Sequence, residues 1–363
     1  MRKRLYDYRQ WRERNMKRLQ VEFRTLAIIF LAVPILVLLI ESLGGAGKRG
    51  TLLFTLLFWL TLTQGLIAWA AVAQLTRAKW ILPLKRLLVS FHPLLLLIFV
   101  LFLFMGFQLN IYPWADDPGF WLNKKFFMVR NLALLLLAYI FARQFSIEVI
   151  RDGQKKSLYA LLYLFAFVAS QSLAAFDWVM SLEYPWFSTL LGGYFFIESL
   201  YAGIALSCIF CYFLLKESDG EQMKALKKTH KDVATLLFAF SVMWAYFFFS
   251  QFLVIWYGNI PEEVVFFTRR FADPRYLFFS FVILGALFPF PFLSLLFIRI
   301  KSNPLLVVII AGVVLSGVFI ERLVFVLPSA TVQVPVLLLE FFMMAALLVM
   351  TFLNRETLIS RYH

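Results

Sequence analysis

The sequence predicts an all-α integral membrane protein with ten transmembrane helices and both termini in the cytoplasm, and three observations predict it. Of 363 residues, 62% are apolar and 18% aromatic while 15% are charged. The mean hydropathy of +0.81 lies outside the range of water-soluble domains. The apolar residues gather into runs close to the ~20 residues a helix needs to cross the hydrocarbon layer. Lipid offers the backbone no hydrogen-bond partners, so runs of this length satisfy their own groups and are helical.

In chain order the runs are Thr25 to Leu43, Thr51 to Leu75, Leu88 to Leu109, Phe126 to Phe145, Ser157 to Met180, Phe187 to Leu215, Val233 to Tyr257, Tyr276 to Ile298, Pro304 to Leu327 and Gln333 to Leu353. They form a membrane domain of residues 25–353, between a basic segment, 1–24, and a tail, 354–363. Basic residues from Arg2 to Arg18 precede a first run that is too long for a cleaved leader and lacks a small-residue cleavage pattern, so it is expected to be a retained anchor.

With the N terminus inside, nine of the 35 Lys and Arg fall on outer segments or outer helix ends: Lys48, Arg49, Lys124, Lys125, Arg130, Arg269, Arg270, Arg275 and Arg322. The rest fall inside, the asymmetry that sets orientation. The net charge of +14 therefore speaks for lipid head groups and topology, not for nucleic acid. "MRKRLYDYRQWRERNMKRLQ" fits a basic helix on the inner leaflet or a solvated tail. "TRAKWILPLKRLL", with Trp80 and Pro83 among basic residues, is the better interfacial candidate. The outer loops "YPWADDPGFWLNKK" and "YGNIPEEVVFFTRRFADPRY" are candidate docking surfaces.

An ionisable residue inside a spanning helix costs roughly 2.5–3.5 kcal/mol on insertion scales, and such residues usually face protein or water and serve transport or proton movement. Here such residues, with the polar Gln251 among them, gather in the outer half: Glu41, Arg130, Asp177, Glu198, Gln251, Glu321, Arg322 and Glu340. One reading makes them structural pairs, with Arg130 and Arg322 neutralising Asp177, Glu321 and Glu340. The other makes them proton carriers, Glu198 first, since Tyr194 and Tyr201 flank it at helical spacing and apolar sequence extends beyond both. Ser170, Ala174 and Asp177 share a helix face at i, i+4 and i+7, with Gln171 beside them. The short connection "SLEYPW" would then bring Asp177 and Glu183 to the start of the sixth helix. These carboxylates are expected to line a proton route to the outside.

Other features carry less. His92 is the one histidine within a span, so haem held by two histidines is excluded, and it serves either an inner-side proton step or a structural hydrogen bond at the Pro93 kink. Cys208 and Cys211 are packing residues, and two cysteines allow no four-cysteine metal site. "GGAGKRG" lacks the Ser or Thr that a phosphate loop needs after its lysine.

The stretches "FDWVMSLEYPWFSTLLGGYFF", "SQFLVIWYGNIPEEVVFF" and "LNKKFFMVRN" resemble the F subunits of alternative complex III, the bacterial quinol:cytochrome c oxidoreductases, within the membrane-subunit family of polysulfide reductase and NrfD-type proteins. The resemblance covers essentially the whole chain. It implies two four-helix bundles, spans two to five and six to nine, flanked by spans one and ten, in the bacterial inner membrane. It implies partners: an iron–sulfur protein, multihaem and monohaem c-type cytochromes, and a sister membrane subunit that is the stronger quinol-binding candidate. It implies no metal-held or covalent cofactor in this chain, with menaquinone or ubiquinone as the possible ligand. The matching motifs carry the proton role to Asp177, Glu183 and Glu198, with His92 and Arg130 as additions; Glu321 and Glu340 complete the candidates, supported by Arg322, Gln171, Gln251, Tyr194 and Tyr201. The rival readings are a secondary transporter using the outer polar cluster, for which the Pro289 and Pro291 pair signals a broken helix, and a structural anchor.

Overall fold

The structure is a computed structural model, and it describes residues 23–43 and 49–360. The basic segment up to residue 22 and most of "GGAGKRG" lie outside them. Among the described residues there is no strand, only an isolated bridge between Arg49 and Thr331. Nine helices among the described residues are long and apolar enough to cross a membrane: α2 (Thr51–Leu75), α3 (Leu82–Met105), α4 (Lys124–Ile150), α5 (Lys156–Glu183), α6 (Leu191–Glu217), α7 (Gly220–Gly258), α9 (Pro274–Leu295), α10 (Pro304–Val326) and α11 (Val334–Leu353). An apolar helix, α1 (Phe23–Leu43), precedes them, and shorter helices include α8 (Pro261–Ala272) and α12 (Arg355–Ser360).

Helix α2 is the hub. A helix that is apolar all round belongs in a core, and α2 is buried from Thr51 through Ala71. It packs against α3 and α5 on one side, α6 and α10 on the other, with α11 alongside. Helix α4 joins α3 to α5, while α7 and α10 pack on α6 and α9 closes against both. The α2–α6 seam is set by two glycines. A Cβ on Gly65 would lie 1.9 Å from the Ser199 carbonyl oxygen, and one on Gly203 would lie 2.4 Å from the Gly65 carbonyl carbon. The backbones therefore touch directly, an approach only small residues permit. The contact is fastened by Ser199 Oγ donating to the Thr61 carbonyl at 2.7 Å and Trp69 Nε1 donating to the Leu200 carbonyl at 2.7 Å.

Several helices depart from the apolar runs, each for a readable reason. Helix α3 starts at Leu82, upstream of the expected Leu88, so the second half of the stretch expected to lie along the interface is helical and runs on into α3, while Thr76–Ile81 forms the turn before it. The helix breaks at Ser90–Phe91, because Pro93 has no N–H to offer the Val89 carbonyl. Helix α7 starts at Gly220 rather than Val233 and runs 39 residues. At ~1.5 Å per residue it is nearly twice as long as the hydrocarbon layer is thick. Helix α9 breaks at Phe288, where Pro289 and Pro291 leave two carbonyls without partners in the ladder. Helix α5 loses α geometry at Ala174: residues Ala174–Val179 form a π-turn and Met180–Glu183 a 3₁₀ turn.

The two ends of the bundle differ. One, the basic end, carries Lys79, Lys85, Arg86, Lys155, Lys156, Lys227 and Lys228. The other, the loop end, carries the long connections 106–123 and 259–273.

Candidate functional site

The polar residues expected to form one outer cluster occupy the loop half, but helix rotation divides them into separate centres. The first joins α4 and α5. Arg130 donates to both Asp177 oxygens, at 2.6 and 2.8 Å, and to the Trp121 carbonyl at 2.6 Å. Asn131 Nδ2 donates to Asp177 at 2.6 Å, and its Oδ1 accepts from Trp178 Nε1 at 2.7 Å. Ser181 closes the set on the Asp177 carbonyl. Asp177 is buried with its acceptors occupied, so this centre reads as a structural clamp, as the structural-pair reading of Arg130 expects.

The shared face of Ser170 and Asp177 is not formed. The π-turn intervenes and re-aims the later residues. Ser170 and Gln171 face α2 instead, where both bond to Gln64, at 2.8 and 2.9 Å, while Tyr163 donates to the Gln64 carbonyl at 2.9 Å. Nor does Glu183 join Asp177: it pairs with Arg270 of α8 at 2.5 Å.

The second centre lies between α2, α6 and α10. Glu198, about two turns into α6, and Arg322 of α10 are fully buried and meet at 2.6 Å. The contact is an ion pair lacking hydrogen-bond alignment, since both Glu198 oxygens have no hydrogen-bond donor. Arg322 Nη2 donates to Thr61 Oγ1 at 3.2 Å, and the guanidinium carbon lies 3.8 Å from the Phe195 ring centre. Tyr194 donates its hydroxyl to Glu321 Oε1. Arg322 thus makes its direct ion pair with Glu198 rather than with Glu321 or Glu340, though its charge also acts on Glu321. Residues 321 and 322 are adjacent on α10, and adjacent helical side chains point apart.

His92, an expected proton residue, and Tyr201, an expected supporting partner, take helix-break roles. His92 Nδ1 lies 3.1 Å from the Val89 carbonyl, the group orphaned by Pro93, which favours its structural reading. Tyr201 donates its hydroxyl to the Leu287 carbonyl at 3.0 Å, the group orphaned by Pro291. Glu340 forms a third centre: Thr55 donates to it at 2.5 Å, and Glu41 nearby accepts from Gln108 at 2.8 Å.

What the sequence did not reveal is a cavity of about 440 Å³ beside the second centre. It lies between α6, α7, α8, α9 and α10, and its walls are Phe248, Phe252, Phe266, Phe267, Phe271, Phe281 and Phe325 with aliphatic neighbours. Phe271, Leu277 and Phe281 are exposed, so it opens sideways between α8 and α9. Its polar lining is Tyr194, Gln251, Arg270, Ser280 and Glu321. Glu321, held by Tyr194, also has Glu198 and Trp244 within reach, but a second buried acceptor there, Gln251 Oε1, has no hydrogen-bond donor. Buried polar atoms are rarely left so. Arg270 belongs to the wall because its guanidinium stacks on Phe266 at 3.7 Å while reaching Glu183. The alternation of Phe and Arg in "VVFFTRRF" was the available signal for it, readable only once α8 is known to be helical.

An apolar cavity with a few converging polar groups is the usual form of a small-molecule site. The fold and site thus define a class: a multi-pass all-α membrane protein with a buried charge centre behind an aromatic, laterally open cavity. Compared with protein-family models and with curated proteins, the sequence matches none. Among the described residues no group of three or more His, Cys, Asp and Glu is placed to hold a metal.

Proposed function

We propose that this chain is the membrane subunit of a respiratory quinol oxidoreductase, binding quinol in the aromatic cavity and passing its protons to intramembrane carboxylates. The observation that carries the reading is the pair of buried acceptors, Gln251 Oε1, which has no donor, and the Glu321 carboxylate, in an otherwise apolar cavity. A hydroquinone ring has two hydroxyl donors and an isoprenoid tail, so it suits two acceptors, phenylalanine walls and an opening toward lipid. Glu321 would take a proton from the bound ring, with Tyr194 holding its other oxygen, and Glu198 with Arg322 lies directly behind it. The electrons would leave through partners, an iron–sulfur protein and multihaem and monohaem c-type cytochromes, beside a sister quinol-binding subunit. In this reading the chain spans the bacterial inner membrane ten times, as two four-helix bundles with flanking spans and with the basic end and both termini in the cytoplasm.

The test is purification of the tagged chain from its native membranes in mild detergent, with a reduced-minus-oxidised spectrum and quinol-dependent cytochrome reduction. Haem should co-purify, and Glu321→Gln and Gln251→Leu should each slow reduction about tenfold, the worth of one hydrogen bond to a charged or buried group. A colourless protein, or unchanged rates in both variants, overturns the reading. The break in α9 is the one observation that favours a transporter instead, and solute uptake by the chain alone in vesicles would support that.

A further inference from the structure

A second groove, unconnected with quinol, lies at the basic end, where α3 begins and α7 rises out of the apolar layer. It has a volume of about 570 Å³ and is formed by Lys79, Trp80, Leu82 and Pro83 on one side and by α7 from Ala225 to Leu236 on the other. Its two sides are locked together by Thr229, whose hydroxyl donates to the Trp80 carbonyl at 2.6 Å. The groove is graded along α7. Lys79 and Lys228 are exposed at one level; Leu82, Pro83 and Leu236 lie toward the apolar run that starts at Val233. It also sits where α3 of one half of the bundle meets α7 of the other.

We propose that this groove binds one anionic diacyl phospholipid, its phosphodiester between Lys79 and Lys228 and its chains along Leu82, Pro83 and Leu236. Charge selects the ligand. Asp232, one turn from Lys228, is part of the same lining, so two lysines and one carboxylate leave a net charge of +1. A phosphodiester carries one negative charge and matches it, whereas a phosphate monoester carries nearly two. Trp80 at the groove's edge is the residue type that settles at head-group depth. Basic pockets between spanning helices are known to take anionic head groups. The lipid would bridge the two halves of the protein and stabilise their contact.

The test uses the full-length protein, delipidated in detergent, with dioleoylphosphatidylglycerol, dioleoylphosphatidylcholine or inorganic phosphate added. Bound lipid is counted by native mass spectrometry, and Tm is followed. Phosphatidylglycerol should bind one molecule tightly and raise Tm. Lys79→Gln with Lys228→Gln should weaken that binding roughly 30-fold, at about a fivefold loss per lysine. Lys155→Gln with Lys227→Gln, basic residues off the groove lining, should leave it unchanged. Leu236→Trp, which fills the apolar end without touching charge, should also lower occupancy. Equal binding of phosphatidylcholine, or an unchanged affinity in both the lysine and the tryptophan variants, overturns the proposal. The same Tm rise with inorganic phosphate alone overturns the lipid as its source.

Discussion

The α2–α6 contact gives the sharpest stability prediction, and Gly65→Ala is the perturbation. The added Cβ would sit 1.9 Å from the Ser199 carbonyl oxygen, 2.7 Å from its carbonyl carbon and 3.2 Å from the Gly203 nitrogen. Every one of these atoms is backbone, so no side chain can swing aside. Restoring an ordinary 3.4 Å contact requires the two helices to part by about 1.5 Å. Overpacking of this kind costs ~1–3 kcal/mol, and a rigid neighbour places it at the upper end. Parting also strains the Ser199–Thr61 and Trp69–Leu200 hydrogen bonds, each worth about 0.6 kcal/mol inside a membrane. The expected loss is therefore about 4 kcal/mol, read from denaturant titration of the purified protein in mixed micelles. Gly312→Ala is the control, because its Cβ would meet nothing within 4 Å, and losing a helical glycine there should stabilise by about 0.5–1 kcal/mol. If Gly65→Ala costs less than about 1 kcal/mol, the helices do not cross through these glycines.

Two further outcomes follow from the buried centres. Arg322→Met leaves Glu198 buried without its cation and should cost about 3–5 kcal/mol, whereas Glu198→Met with Arg322→Met should recover most of the loss; a double variant as unstable as the single one would refute the pairing. Tyr201→Phe removes the donor to the Leu287 carbonyl and should lower stability by about 1–3 kcal/mol, measured by thermal unfolding, while Tyr212→Phe, for which no hydroxyl bond is found, should not.

The helices were legible because their signal is length and apolarity, which tertiary packing does not alter. Their breaks were half legible: Pro93, Pro289 and Pro291 mark missing donors, but not which side chain fills each gap. The side chains that do so, His92 and Tyr201, look in the sequence like candidates for chemistry. Depth was also legible, since Glu198, Gln251, Glu321 and Glu340 all fall in the loop half. Rotation was not. Whether Glu198 meets Arg322 or Glu340 meets Thr55 depends on angles about each helix axis that a string of apolar residues leaves free. An all-apolar helix such as α2 has no polar face from which to read them. The cavity was invisible for the same reason, because its phenylalanines come from four helices and resemble lipid-facing residues until those helices are placed together.

The π-turn in α5 makes the position of Asp177 a matter of residue count. A π-turn is an α-helix carrying an extra residue, and one residue turns everything beyond it by about 100°. Removing a single codon between Ala174 and Phe176 would thus restore a regular helix while swinging Asp177 away from Arg130 and Asn131. The clamp between α4 and α5 and the aim of every later residue up to Glu183 are set by the count of residues there, so a change of length in this turn would undo contacts that lie well beyond it.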